Sequence, residues 1–308
     1  MKTKNALQLM LASLVWGIAF VAQSSASAYI RPFSYNALRC FLGGLTLLPL
    51  VLLRQKTNPS QIEAPSGKAH TTAKPYLWLI GGICCGVCLT FGSVLQQIGI
   101  GQTTVGKAGF ITALYIIFVP IAGVLFLHQK MTPPIVASAI LGLIGMFLLC
   151  IKEDFSIGRG DFFVLLCSFA FTAHILVIDH FSESVDGVLL SCVQFFVVSL
   201  LCLPVMLLFE RPTLSQIRAA WLPIVYAGVM SCGVGYTLQI VGQKGVNPTI
   251  ASLILSLESV FSALAGWVIL GQKLAFREIC GCIILFAAIL LATAKDFLRS
   301  PSVENDRK

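Results

Sequence analysis

Charge is scarce in this sequence. Asp, Glu, Lys and Arg make up 11% of its 308 residues, against about 25% in an average soluble domain, which excludes a water-soluble fold. Long polar stretches are scarcer still. The one extended hydrophilic segment between apolar runs is 54–74, and no remaining stretch is large enough for a soluble catalytic domain. No Walker-type glycine loop is present, so ATP drive is not expected. The 11 cysteines do not suggest zinc or disulfides. Cys84, Cys85, Cys88, Cys150, Cys167, Cys192, Cys202, Cys232, Cys280 and Cys282 all sit within apolar runs, where cysteine behaves as a small buried hydrophobe. No metal and no cofactor are expected.

What the chain has in abundance is apolar surface. It is 57% hydrophobic, with a mean hydropathy of +0.89. Apolar runs recur along it, each close to the ~20 residues needed to cross a bilayer. Ten are expected, at 6–29, 33–53, 75–99, 103–127, 133–151, 161–180, 187–208, 221–242, 249–270 and 276–294. The fold class is therefore an all-α integral membrane protein with ten transmembrane helices. The net charge of +8 is scattered through short loops, so the bilayer is the expected partner and nucleic acid is not. Lys2, Lys4 and the basic residues of 54–74 place the N-terminus and that loop in the cytoplasm by the positive-inside rule. The basic tail, with Lys295, Arg299, Arg307 and Lys308, places the C-terminus there too. The chain is thus expected to be multi-pass in a cell membrane, with both termini cytoplasmic.

The stretch 249–273 carries one carboxylate, Glu258, near its middle. An ionised acid at mid-membrane costs roughly 2.5–3.5 kcal/mol on insertion scales, which makes it a candidate for function. On a helical wheel Ser252, Ser256, Ser259, Ser262 and Ala265 share a small-residue side with Glu258, while Leu253, Leu257, Val260, Phe261, Leu264 and Val268 form a bulky side expected to face lipid. Glu258 is then either a proton-titrating or ligand-binding group, or a structural carboxyl that pins helix packing.

An internal repeat organises the whole. A shift of 143 residues superimposes Gly92, Leu95, Gln96 and Gly99 on Gly235, Leu238, Gln239 and Gly242, and Ala122-Gly123 on Ala265-Gly266. A shift of 155 relates the earlier helices, bringing Ser13 to Ser168, Phe41 to Phe196 and Leu48-Pro49 to Leu203-Pro204. The units expected are 1–152 and 153–296, each of five helices, followed by a cytoplasmic polar tail, 297–308. Five is odd, so the second unit enters the membrane upside down. Such an inverted repeat offers two conformations of similar energy around one central site, the basis of alternating access in secondary transporters.

Two copies of a five-helix unit, the ending WVILGQKL at 267–274, the LES-VF pattern of 257–261 and Arg39 in the second helix resemble the EamA family of the drug/metabolite transporter superfamily. The resemblance covers residues 5–296. It implies a ten-helix bundle whose central cavity takes a small metabolite, often an amino acid or related compound, for export. The family commonly has Glu after the Leu-Gly that closes the fourth helix of each unit. This chain has Gln129 and Gln272 there, so coupling, with protons as the candidate ion, would fall elsewhere, with Glu258 the nominee.

The repeat also nominates site residues. Glu258 corresponds to Tyr115, Gln239 to Gln96, Gln194 to Arg39, and His174 to Ala19. Positions that differ in chemistry give a pseudo-symmetric cavity its specificity. Arg39 either snorkels to the interface or meets an anionic cargo group. His174 is either a proton relay or a neutral ring bonded to a backbone carbonyl, and Gln96 and Gln239 either line the site or pack helices. Trp16, Tyr236 and Trp267 are candidate flat walls, and Lys107 is expected to snorkel. The competing reading is a membrane-embedded enzyme acting on a lipid-like substrate, for which His174, Asp179 and His180 are the nearest thing to a catalytic cluster.

Overall fold

The structure is a computed structural model that describes residues 3–57, 76–103, 105–127, 132–150, 158–270 and 275–298. Every regular element among them is helical: α1 (Thr3–Ser27), α2 (Pro32–Thr57), α3 (Leu77–Ile100), α4 (Val105–Thr112), α5 (Tyr115–Leu127), α6 (Pro133–Cys150), α7 (Arg159–Ser182) and α8 (Gly187–Val205). After α8 comes a π-helical turn, Met206–Glu210, then α9 (Leu214–Ala219) and α10 (Trp221–Val225). A π-helical segment, Tyr226–Tyr236, leads into α11 (Thr237–Gln243), and α12 (Pro248–Leu255), α13 (Glu258–Leu270) and α14 (Phe276–Leu298) complete the chain.

Eight segments are long and apolar enough to cross a membrane. They are α1, α2, α3, α4 with α5, α7, α8 with its π turn, α10 through α11, and α12 with α13. The other two expected spans fall on the shorter apolar α6 and on α14. Helices are the expected answer, because hydrocarbon offers backbone groups no partner outside their own segment. The distribution of side chains agrees. Phe91, Leu125, Phe126, Leu200 and Val268 are exposed, whereas Ser13, Asn36, Arg39, Gln96, His174, Gln194 and Glu258 are buried. An apolar outer surface around a core that also buries these polar groups is unlike a soluble protein, and this is a multi-pass membrane protein.

Small residues let the helices approach. A Cβ on Gly99 of α3 would lie 2.3 Å from the Val164 side chain of α7, and one on Gly92 would lie 2.9 Å from Phe171. At the other pair of helices, Gly242 of α11 faces Leu9 of α1 at 3.0 Å and Gly235 faces Trp16 at 2.8 Å. These contacts obey the sequence shifts: Gly99 and Gly92 correspond to Gly242 and Gly235 at 143, and Leu9 and Trp16 to Val164 and Phe171 at 155.

Two spans are broken at corresponding positions. α4 gives way to α5 across Ala113-Leu114, and α12 to α13 across Ser256-Leu257. At the first break Leu114 N donates to Ile111 O and Ile116 N to Ala113 O; at the second, Leu257 N donates to Ile254 O and Ser259 N to Ser256 O. These three-residue bonds tighten the turn and rotate the second half-helix against the first. One wheel drawn through 249–273 therefore fails. Leu253 and Leu257, expected toward lipid, are buried, as is every residue of α12, while Leu264, Trp267 and Val268 are exposed.

Candidate functional site

Each break ends at a polar residue. Tyr115 opens α5 and Glu258 opens α13, and the Tyr115 hydroxyl donates to Glu258 Oε1 at 3.0 Å. Both side chains are buried. Glu258 occupies the first turn of its half-helix, where unbonded N–H groups and the helix dipole favour a carboxylate.

Around this pair lies a cavity of about 490 Å³, its open side included. α1 contributes Trp16, Phe20 and Gln23, α2 Arg39, α3 Gln96, α4 Thr112 and α5 Tyr115. From the other side come Phe171, His174 and Ile175 of α7, Ser231 and Tyr236 of the π-helical segment, Gln239 of α11, Leu255 of α12 and Glu258. Of the nine residues nominated from sequence, eight meet here and Gln194 stands behind His174.

Arg39 does not snorkel. It is 2% exposed, its Nε donates to Asn36 Oδ1 at 2.8 Å, and its guanidinium lies 5.3 Å from the centre of the Tyr35 ring. Asn36 is itself fixed by the carbonyls of Pro32 and Ser93. Among the described residues no carboxylate forms an ion pair with Arg39, so a buried cation borders the cavity without a protein anion.

His174 pairs with the Gln194 side chain at 3.0 Å rather than with a backbone carbonyl, and its ring stands edge-on to Tyr236. Tyr236 also packs against Trp16, ring centres 4.6 Å apart. The indole N–H of Trp16 reaches Ser231 O at 3.4 Å, a carbonyl in the π-helical stretch, where the wider turn loosens the usual ladder. Gln96 donates to Thr112 Oγ1 at 3.3 Å, a bond between helices α3 and α4. Gln239 behaves differently: its Oε1, like that of Gln23, is buried without a partner at the cavity wall. Groups left this way are ready to bind a ligand.

Other expectations fell elsewhere. Trp267 is 53% exposed and does not line the cavity; nine residues beyond Glu258 on the same half-helix, it points to the opposite side. Lys107 does not snorkel but pairs with Asp161 at 2.7 Å. Neither Asp179 nor His180 borders the cavity. Gln129, Gln272 and residues 299–308 of the tail lie outside the described residues, while 297 and 298 belong to α14. Sequence reading did not nominate Phe20, Gln23, Thr112, Phe171, Ile175, Ser231 and Leu255 for the site. Phe171 was within reach, since the shift of 155 carries Trp16 onto it.

A helical membrane protein with a buried central cavity, lined by aromatics and carrying one acid and one base from different spans, has the makings of a small-molecule carrier. The chain belongs to the EamA-like transporter family, whose model matches residues 3–151 and again 158–294. It is similar to an uncharacterized transporter of Archaeoglobus fulgidus, 26% identical over 94% of this chain and 85% of the relative. It is also similar to the uncharacterized transporter YoaV of Bacillus subtilis, 22% identical over 91% and 94% of the two chains. A solved crystal structure with 18% sequence identity shares the fold, with a TM-score of 0.78 over 97% of this chain and 100% of that one.

Proposed function

We propose that this protein is a secondary active transporter, an exporter of a small organic metabolite such as an amino acid or related compound, working by alternating access between two inverted five-helix repeats, 1–152 and 153–296. The observation that carries the reading is the Tyr115–Glu258 hydrogen bond. It joins two residues 143 apart, the repeat distance itself, each opening a half-helix after the same kind of break. Residues equivalent in two inverted units meet where the pseudo-symmetry axis passes, and broken helices at that place are the usual makers of a transporter's central site. The twofold match to the family model and the paired glycine contacts support the same division. Ten spanning helices follow if α6 and α14 cross the membrane as well, with both termini cytoplasmic.

In this reading Glu258 exchanges the coupling proton, Tyr115 positions it, and Arg39 receives an anionic group of the cargo, supplying the pairing that a buried guanidinium lacks. Trp16, Tyr236, Phe20 and Phe171 hold the apolar body of the cargo, and Gln23 and Gln239 offer it hydrogen bonds. The enzyme reading draws no support from the site, where His174 is engaged by Gln194 and neither Asp179 nor His180 borders the cavity.

The test is a metabolite-library thermal-shift screen on purified protein, because ligands of the native state raise its melting temperature. Hits then go to proteoliposomes with an imposed pH gradient. Gradient-driven flux of a stabilising metabolite is the expected result, and hits that never move under any gradient would refute transport.

A further inference from the structure

The two ends of the bundle are tied by corresponding junctions of unlike chemistry. Their separation follows from α1. At its C-terminal end the Gln23 carbonyl accepts from Gln97 of α3, and Ser27 lies beside Gly101, next to the start of α7. Asn5 lies at the other end of α1, roughly 33 Å away at 1.5 Å per residue.

At the α7 end, Asp161 accepts from Lys107 Nζ at 2.7 Å, from Thr103 Oγ1 and from Gly158 N at 2.8 Å. Its side chain is 3% exposed. The same end has a second carboxylate tie: Glu210, closing the π turn after α8, accepts from Phe33 N, Ser34 N and Ser34 Oγ at the start of α2. At the opposite end Asn5 donates to Gly242 O and Lys244 O at 3.1 and 2.9 Å. The accompanying ion pair, Arg54–Asp186, has side chains 48% and 22% exposed, and solvent screens such a pair.

The junctions are counterparts. The shift of 155 takes Asn5 to Gly160, beside Asp161, and the shift of 143 takes Gly99 and Gly101 to Gly242 and Lys244. Where one copy is held by a neutral amide, the other is held by a buried carboxylate with three donors. Charge-assisted bonds are roughly twice as strong as neutral ones, and parting Asp161, 3% exposed, from Lys107, 21% exposed, strands a carboxylate that is itself buried.

We propose that Asp161 is the gate residue of the transporter, holding the α7 end shut in the resting molecule so that the cavity opens first at the Asn5 end. This rests on the alternating-access reading above. With both termini cytoplasmic, the Asn5 end is the cytoplasmic mouth, and cargo loads from the cytoplasm, which gives transport its outward polarity. Lys107 and Thr103 act through Asp161 and touch no cargo.

Hydrogen exchange with mass readout, on the full chain in lipid nanodiscs without cargo, tests the gate against a merely local helix cap. Asp161→Asn is expected to raise exchange in 99–103 and 159–164 by roughly a hundredfold and, because one mouth closes as the other opens, to lower it in 3–9 and 242–246. Asn5→Ala is expected to do the reverse, with less than about a tenfold rise at its own end. Should Asp161→Asn fail to fold, Lys107→Met is the second variant, with the same pattern expected. Loosening confined to the α7 end would overturn the gate. If Asn5→Ala protects the α7 end while neither Asp161→Asn nor Lys107→Met protects the Asn5 end, the gate falls and alternating access stands. If no variant at one end alters the other, alternating access itself falls and takes the gate with it.

Discussion

The break between α4 and α5 and the break between α12 and α13 share a backbone and differ in chemistry. Both tighten through the same pair of three-residue hydrogen bonds, and both start a new half-helix at a residue facing the cavity. One offers a phenol and the other a carboxylate. The shared geometry puts the two side chains in contact, and of the two groups a carboxyl exchanges its proton far more readily than a phenol, which keeps its own to about pH 10. In the proposed reading, the repeat sets where the site lies and the departure from it sets what the site does.

The largest test of that difference is Glu258→Gln. The amide keeps the shape and can still accept from Tyr115, but it cannot exchange a proton. Gradient-driven flux in proteoliposomes is expected to fall by about 100-fold or more, equivalent to ~2.7 kcal/mol, with a melting temperature within a few degrees of wild type. Wild-type flux with an unchanged response to the pH gradient would make Glu258 a structural residue and the two breaks chemically equal.

That the breaks exist at all was not legible in the sequence. Ala113-Leu114 and Ser256-Leu257 contain neither glycine nor proline, and alanine and leucine are strong helix formers. Packing imposes the interruption: α12 is buried on every side and its continuation is not. The wheel over 249–273 consequently kept Glu258 inside but put Leu253 and Leu257 on the wrong side, and the separate choice of Trp267 as a wall overlooked that it stands opposite Glu258 on that wheel. The membrane class was legible because lipid forces apolar runs of spanning length. The correspondence of Tyr115 with Glu258 was legible because a repeat distance survives in the primary sequence, whereas their hydrogen bond and other rotamer-level facts, such as Gln23 lining the cavity or Ser231 offering its carbonyl, leave no pattern there.

A second comparison sharpens the first. Gly235 and Gly92 are counterparts, each supporting a cavity aromatic, and an added methyl would come within 2.8 Å of Trp16 and 2.9 Å of Phe171. Overpacking of this kind costs about 1–3 kcal/mol. Trp16 is also held by Ser231 O and by the Tyr236 ring, so it has less room to yield. Gly235→Ala is therefore expected near the upper end of that range and Gly92→Ala near the lower, read as the loss in unfolding free energy. Equal losses would mean that the two aromatic walls are mechanically alike.

The smallest effect belongs to Tyr115→Phe, which deletes one oxygen and leaves the ring in place. A net loss of about 1 kcal/mol in stability is expected for the missing hydrogen bond, with flux reduced by roughly fivefold because Glu258 keeps its place at the helix N-terminus but loses its guide. If Tyr115 acts only through Glu258, the same change made on top of Glu258→Gln should lower flux no further, since one partner's contribution is already gone. A further drop in the double variant would mean that the phenol touches the cargo directly. The first break would then be a binding element in its own right, and the division of labour between the two half-helices would be one of recognition against coupling.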